Sequence, residues 1–336
     1  MLQATFKPYR LRFKTPARTS RGVMDWKDTY FLTVTDTDTG LSGQGEVALF
    51  KGLSADDTPD FEDILERCCR EVDTLDIETI PSSAIRFGFE TALADLAAGG
   101  VGQPFGDPDM TINIPINGLV WMADKETMLR HAQAKIAQGY RCVKLKIGGI
   151  DFEQEIEILS LLRQHFSPEV LELRLDANGA FTPENAMARL DRLARFDIHS
   201  IEQPVMPRQH KAMADICRYS PIDVALDEEL IGITSPENKR EMLDTLRPRY
   251  IILKPSLCGG FAEADAWIAE AEKQGIGWWA TSALESNVGL NAIARWLAVK
   301  GPLAMPQGLG TGMLYLNNTP SLLRLDGPKL SGVSKS

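Results

Sequence analysis

The chain has 336 residues, which is long for one domain and suits one large domain joined to a smaller one. Its net charge of −10, with no cluster of lysines and arginines to offset it, argues against nucleic acid and anionic membranes as partners. No apolar run reaches the length of a membrane span. The five cysteines, odd in number and without C-x-x-C spacing, indicate a reduced cytoplasmic protein.

The first hundred residues predict a small α+β domain. Three strands are expected at 11–14, 30–35 and 41–47, with the hairpin turn at Asp38-Thr39-Gly40 and a polar loop over 15–27. Helical patterns follow at 58–75 and 84–98, and Gly99-Gly100 ends the second. Strands followed by segregated helices favour an α+β capping domain, which we predict over residues 1–105.

From Thr111 onwards strands and helices alternate. Strands are predicted at 112–118, 142–148, 172–178, 200–205, 223–229, 250–256, 277–284 and 303–308, and the clearest helices at 152–165 and 183–195. Eight strands with helical crossovers favour a (β/α)8-type (TIM-like) barrel over an open sheet, and we place it at residues 106–312. The remaining tail, 313–336, is predicted to return to the capping domain.

Charged residues recur once per strand-and-helix unit, each at the end of an apolar stretch. Lys146, Asp176, Glu202, Asp227 and Lys254 follow one another at intervals of 30, 26, 25 and 27 residues. In a barrel of parallel strands this periodicity places all five at the C-terminal rim, where the active sites of such barrels lie. The pattern predicts an enzyme.

Three of these residues are carboxylates on successive strands, so their side chains are expected to converge on one cation. Asp176, Glu202 and Asp227 offer only oxygen ligands, which favours Mg²⁺ or Mn²⁺ over zinc. For any one of these carboxylates alone, a role as a helix cap or an exposed charge is about as well supported as metal ligation. The regular spacing carries the metal hypothesis.

The lysines predict proton transfer. Lys144 and Lys146 share one face of their strand because side chains alternate, and Lys254 lies across the barrel mouth. A like charge and a divalent cation nearby would lower a lysine pKa, so that the amine could act as a general base. A metal that chelates a small-molecule carboxylate favours removal of its α-proton. Elimination, isomerisation and epimerisation all remain open from these residues.

Seven motifs along nearly the whole chain resemble those of the enolase superfamily. They are G-x-G-E at 43–46, ETALADLAAG at 90–99, K-x-K at 144–146, DANG at 176–179, IEQP at 201–204, LDE at 226–228 and LKP at 253–255. The placement of lysines on strands two and six is similar to that in the muconate-cycloisomerase subgroup. The resemblance implies Lys146 as the base, Lys254 as a charged stabiliser, Lys144 as a contact of the substrate carboxylate, and Asn178 beside the metal ligands.

Segments 253–260, 282–296 and 307–312 resemble one branch of that subgroup more narrowly. That branch removes water from 2-succinyl-6-hydroxy-2,4-cyclohexadiene-1-carboxylate in menaquinone synthesis, by syn elimination. The resemblance implies substrate contacts near strands seven and eight and in a mobile cap loop that includes Arg18 and Ser20. The expected contacts are Ser282, Ser286, Gly289, Gly310, Gly312 and Thr19, although glycine and serine there also suit turns.

Two other functions stay open. An N-acylamino-acid racemase or a cycloisomerase would use the same metal and lysines, and a non-catalytic barrel would be expected to have lost some of them. The sequence does not distinguish Mg²⁺ from Mn²⁺, and it leaves the oligomeric state open, including a homo-oligomer.

Overall fold

The computed structural model describes residues 1–19, 22–107 and 109–332. Its first three strands form an antiparallel sheet in the order β1-β2-β3, with β1 at Leu2–Thr19, β2 at Gly22–Asp36 and β3 at Ser42–Val47. Within the described residues, no helix has both the length and the apolar character needed to cross a membrane.

The polar loop predicted over 15–27 is wrong, because β1 and β2 run through most of that range. The two strands pair from Leu2 with Asp36 as far as Thr19 with Gly22, with one register shift between Arg12 and Ala17. Leu11, Phe13 and Ala17 of β1 are buried, whereas the residues between them are exposed. The paired strands β1 and β2 therefore form an arm of the capping domain. Ser20 lies outside the described residues.

Two helices complete the capping domain, α1 at Phe61–Arg70 and α2 at Ser83–Ala97. Helix α1 is shorter than its predicted range of 58–75, and α2 is shifted slightly from its predicted range of 84–98. Helix α2 lies unusually close to β3. A Cβ atom on Gly43 would lie 2.0 Å from the carbonyl oxygen of Ala92, and one on Gly45 would lie 2.1 Å from that of Gly88. The G-x-G part of the G-x-G-E motif therefore permits close contact between helix and sheet.

Gly45→Ala is expected to destabilise the protein by about 2 kcal/mol or more, because a methyl group there overlaps backbone rather than a movable side chain. Urea denaturation would measure the change. Gly332→Ala is the matched control, since its new Cβ would lie at an ordinary 3.6 Å from Ile112 and should shift the midpoint little. Equal midpoints for both variants would contradict the close packing.

The second part of the chain is a curled parallel sheet surrounded by helices. Strand β4 covers Asn113–Pro115, and seven parallel strands lie in the order β11-β10-β9-β8-β7-β6-β5. These are β5 at Gly118–Val120, β6 at Cys142–Lys146, β7 at Glu172–Asp176, β8 at Ser200–Glu202, β9 at Val224–Leu226, β10 at Tyr250–Leu253 and β11 at Gly277–Ala280. The helices are α3 at Lys125–Ala137, α4 at Phe152–His165, α5 at Pro183–Leu193, α6 at His210–Tyr219, α7 at Pro236–Leu246, α8 at Gly260–Lys273 and α9 at Asn287–Ala298. This is the architecture of a TIM-like barrel.

The eighth strand is reduced to two residues that close the ring. Gln307 bridges Ile116 and Gly308 bridges Thr281, both in the parallel sense. The amide of Gly308 donates to the carbonyl of Ala280 at 2.8 Å. The first predicted strand is divided into β4 and β5, of which only β5 pairs with β6.

The tail contacts both parts of the molecule. Residues 314–316 bond to β1, with Lys14 N donating to Leu314 O at 2.8 Å. Strands β12 (Leu323–Asp326) and β13 (Lys329–Gly332) then form a hairpin that pairs with β4. The return to the capping domain is thus brief, and the predicted domain boundaries stay a prediction.

Candidate active site

The five periodic charges come together at one rim of the barrel. Lys146, Asp176 and Glu202 are the last residues of β6, β7 and β8, and they are consecutive register partners. Asp227 and Lys254 directly follow β9 and β10. On β6, Val143 and Leu145 belong to the hydrophobic core, whereas Lys144 and Lys146 alternate with them on the opposite face. The strand period therefore delivers both lysines to the same interior.

The lysines and carboxylates form a buried ionic cluster. The Lys144 ammonium lies 3.0 Å from Asp176 Oδ2 and 2.7 Å from Glu202 Oε2. Lys146 lies 2.5 Å from Asp176 Oδ2 and donates to Asn178 Oδ1 at 2.7 Å, and Lys254 is paired with Asp227. All of these side chains are almost fully buried except that of Lys254, which is partly exposed.

Burial and the neighbouring charges act in opposite directions on these groups. Burial alone would lower the pKa of Lys144, but the carboxylates of Asp176 and Glu202 outweigh it and raise that pKa. Burial alone would also lower the pKa of Lys254. That pKa is nevertheless raised, chiefly by the Asp227 carboxylate. The lowered lysine pKa expected from the sequence is therefore not found at Lys144. The expectation assumed a divalent cation among the carboxylates.

The carboxylates themselves are unequal. Burial would raise the pKa of Asp176, but Lys144 and Lys146 outweigh it and lower that pKa. The pKa of Glu202 is raised well above its usual value by burial and by the Asp176 and Asp227 carboxylates, despite its ion pair with Lys144. Negative charge at Glu202 is thus less compensated than negative charge at Asp176.

The donor set suits a hard divalent cation, although the side chains do not stand in a coordinating arrangement. Across the described ranges, no three carboxylate, histidine or cysteine side chains are placed to hold one metal ion. The lysine ammonium groups lie among the carboxylates instead. Glu202 Oε1 is buried and accepts no hydrogen bond from a described residue, so one oxygen of the set is available to a cation. The predicted metal site stays a prediction.

Asn178 and Glu228 complete the cluster. The backbone of Asn178 lies in the left-handed region, with φ of 45°, and its amide N donates to Asp176 Oδ1 at 3.0 Å. Its side-chain nitrogen donates to Glu228 Oε1 at 3.1 Å. Asn178 thus holds Asp176 and Lys146 in place, and its expected position beside metal ligands stays a prediction. Glu228, which directly follows Asp227 in the chain, is buried.

A cavity of about 270 Å³ opens above the cluster. Its floor is formed by Lys144, Lys146, Asn178, Glu228 and Lys254. Its walls come from three other places: the arm residues 22–24, the segment 50–53 that follows β3, and the loops at the ends of β5, β11 and the eighth strand. The capping domain and the barrel both contribute to the enclosure.

The substrate contacts expected from the sequence divide into three groups. Ser282 and Gly310 line the cavity, whereas Ser286, Gly289 and Gly312 are not among its lining residues. The side chain of Thr19 lies outside the described residues. Arg18, expected in a mobile loop, belongs to strand β1.

Ser286 and Gly289 have a different partner, the buried carboxylate of Glu46. The Ser286 hydroxyl donates to Glu46 at 2.6 Å, and the amides of Ser286 and Gly289 donate at 2.9 and 3.0 Å. Both residues lie at the start of α9, where the unpaired amides of a helix favour an anion. The Glu of the G-x-G-E motif therefore joins the capping domain to the barrel.

Several cavity residues were not found by sequence reasoning. They include Phe50, Lys51, Leu119, Trp121 and Thr281. Trp121 and Thr281 directly follow β5 and β11, but neither is charged, so the recurrence of charged residues did not reveal them. Phe50 and Lys51 come from the capping domain, and no periodicity connects them to the rim.

Buried Glu155 supports the loop that follows Lys146. It accepts a hydrogen bond from Gly148 N at 2.6 Å, and burial raises its pKa to about 7. The loop that leaves β6 is thereby tied to the first turn of α4.

The fold and this rim of charges define a class of protein. Residues 127–315 match the family model described as Enolase C-terminal domain-like. The chain belongs to the enolase superfamily.

A curated relative matches the chain over its full length. The o-succinylbenzoate synthase of Desulfotalea psychrophila is 46% identical, with 99% of both chains covered. The crystal structure of MenC from the same organism superimposes with a TM-score of 0.84 at 43% identity, again covering 99% of each chain. The N-succinylamino acid racemase of Thermus thermophilus is 32% identical over 60% of this chain and 53% of its own length.

Proposed function

We propose that the protein is a carbon–oxygen lyase that converts 2-succinyl-6-hydroxy-2,4-cyclohexadiene-1-carboxylate to o-succinylbenzoate, a step of menaquinone synthesis. The observation that carries the proposal is the 46% identity to an o-succinylbenzoate synthase over 99% of both chains. The lysines and carboxylates below the cavity are the groups that this chemistry requires. A cytoplasmic location is part of the proposal.

Asp176, Glu202 and Asp227 would hold the metal, Mg²⁺ or Mn²⁺. Members of the enolase superfamily use a divalent metal, and the available Glu202 Oε1 supports its placement here. When bound, the cation supplies positive charge that favours ionisation next to the substrate carboxylate.

Lys146 is the proposed base and acid. In its neutral form the amine takes the proton from the carbon next to the ring carboxylate, and the C–H electron pair passes into the carboxylate as an enediolate. The enediolate then collapses, a ring double bond forms and the C–O bond to the hydroxyl breaks. The ammonium of Lys146 returns its proton to the departing oxygen, which leaves as water.

Lys254 and Lys144 remain charged in this scheme. Lys254 reaches the cavity from the opposite side of the rim and would stabilise the negative charge that develops on the substrate. Lys144 would contact the ring carboxylate. Ser282 and Gly310 line the part of the cavity where the succinyl group is proposed to lie.

N-succinylamino-acid racemisation is the second candidate, favoured by the 32% identity to the Thermus thermophilus racemase. Racemisation needs a group that can accept or donate a proton on each face of the substrate carbon, so it requires both Lys146 and Lys254. Dehydration needs only Lys146 to transfer protons. The two candidates therefore differ in what they demand of Lys254.

Lys254→Arg is expected to retain measurable dehydration but to abolish any racemisation, because arginine keeps the charge and does not exchange its proton. Both reactions would be assayed with Mg²⁺, one by absorbance and one by optical rotation. Absence of dehydration in the wild-type protein, together with efficient racemisation, would refute the lyase proposal in favour of the second candidate.

A further inference from the structure

A second buried ionic cluster lies behind the cavity wall, at the contact between the capping domain and the barrel. Its centre is Glu285, a fully buried residue between β11 and α9. The Ser256 hydroxyl donates to Glu285 Oε1 at 2.6 Å, and the Ser282 hydroxyl donates to Oε2 at 2.6 Å. One carboxylate therefore ties together two loops of the barrel rim.

The first of these loops carries Lys254. Ser256 is two residues further along the chain, in a tight turn where the amides of Leu257 and Cys258 donate to the Lys254 carbonyl at 2.8 and 3.0 Å. Holding Ser256 therefore restrains the backbone from which the Lys254 side chain extends. The Lys254 ammonium faces the cavity.

The second loop is the cavity wall itself. Ser282 lines the cavity, and its hydroxyl oxygen also accepts a hydrogen bond from Leu284 N at 2.9 Å. Leu284 has φ of 64°, a left-handed backbone conformation that costs a branched residue about 1 kcal/mol or more. Its carbonyl accepts from the Tyr315 hydroxyl at 2.6 Å. Such a strained wall persists only when its neighbours hold it.

A buried negative charge needs a counter-charge, and Lys27 of β2 is placed to supply it. Its ammonium is buried and has no hydrogen-bond partner within the described part of the chain. It interacts electrostatically with the carboxylates of Glu46 and Glu285. Burial lowers the pKa of Lys27, and the two carboxylates oppose that effect. Glu46 has the larger effect on Lys27 and Glu285 the next, and both carboxylates also accept hydrogen bonds, so the buried ammonium lies between two buried carboxylates as a shared counter-charge.

We propose that Glu285 is a positioning residue that sets Lys254 against the cavity wall, and that Lys27 of the capping domain is a counter-charge that Glu285 shares with Glu46. The roles of Lys254 and the wall rest on the proposed function. The consequence is that correct seating of the capping domain on the barrel also orients a catalytic lysine of the barrel.

The two hydroxyl contacts can be tested separately. Ser256→Ala should lower kcat about tenfold and leave KM within about threefold, because it releases Lys254 rather than the substrate pocket. Ser282→Ala should chiefly raise KM. E285Q should show both effects, and the exposed Glu241→Gln should show neither. Wild-type kcat in both S256A and E285Q would overturn the proposal.

The counter-charge is tested by unfolding, which needs no activity. In a double-mutant cycle, K27M and E285Q should be coupled, so that their combined effect on the unfolding equilibrium is at least tenfold smaller than the product of the single effects. Independent effects would overturn the pairing. If the wild-type protein shows no dehydration, the proposed function fails, while this cycle still decides whether Lys27 and Glu285 interact.

Discussion

Replacement of Lys146 by alanine is expected to lower kcat for dehydration by at least about a thousandfold, because the proposed base and acid is lost in one step. The side chain is buried beneath the cavity, 2.5 Å from Asp176 and 2.7 Å from Asn178. Alanine leaves the walls of the cavity in place. Substrate or product should therefore still bind, and the loss should fall on kcat rather than KM.

Two controls accompany that variant. Lys7→Ala removes an exposed lysine from β1 and should retain full activity. Far-ultraviolet circular dichroism and thermal unfolding would confirm that Lys146→Ala is folded. A folded K146A protein with more than a tenth of the wild-type kcat would exclude Lys146 as the base.

The second large effect concerns the metal. Treatment with EDTA is expected to abolish activity, and added Mg²⁺ or Mn²⁺ should restore it in the wild-type protein but not in Glu202→Gln. Glu202 is the carboxylate with an unbonded buried oxygen and a raised pKa, so it should gain most from a nearby cation. The variant should lose activity at least about a hundredfold.

Thermal unfolding supplies a readout of metal binding that does not depend on activity. A metal that binds only the folded state raises the Tm, so Mg²⁺ should stabilise the wild-type protein. The increase should vanish in Glu202→Gln and persist in Glu241→Gln, whose carboxylate is exposed. An undiminished Tm increase in Glu202→Gln would remove Glu202 from the set of ligands.

The charged floor of the site was largely predictable because it follows from the period of the fold. Each strand of a parallel barrel ends at the same rim, and one α/β unit takes a nearly constant number of residues. The positions of Lys146, Asp176 and Glu202 at the ends of neighbouring strands could thus be read from their intervals. Lys144 followed from the two-residue alternation of a strand.

Other features depend on contacts between residues that are distant in the chain, and no local pattern records them. Ser286 and Gly289 were expected to contact substrate, but Glu46, about 240 residues earlier, occupies their donors. The part of the β1 and β2 arm over 15–27 was predicted as a loop because its residues are polar. The arm instead forms through strand pairing and through burial of apolar residues against the barrel.

The sequence by itself therefore determined the barrel and the charged residues at its rim, because backbone periodicity controls both, and its motifs carried the resemblance to the superfamily. The tertiary structure decided how those charges pair, which residues wall the cavity, and how the capping domain is joined to the barrel through Glu46. Pairing of buried charges depends on distances of a few ångströms across separate elements, where burial strengthens every electrostatic interaction. Such distances arise only when the whole chain is folded.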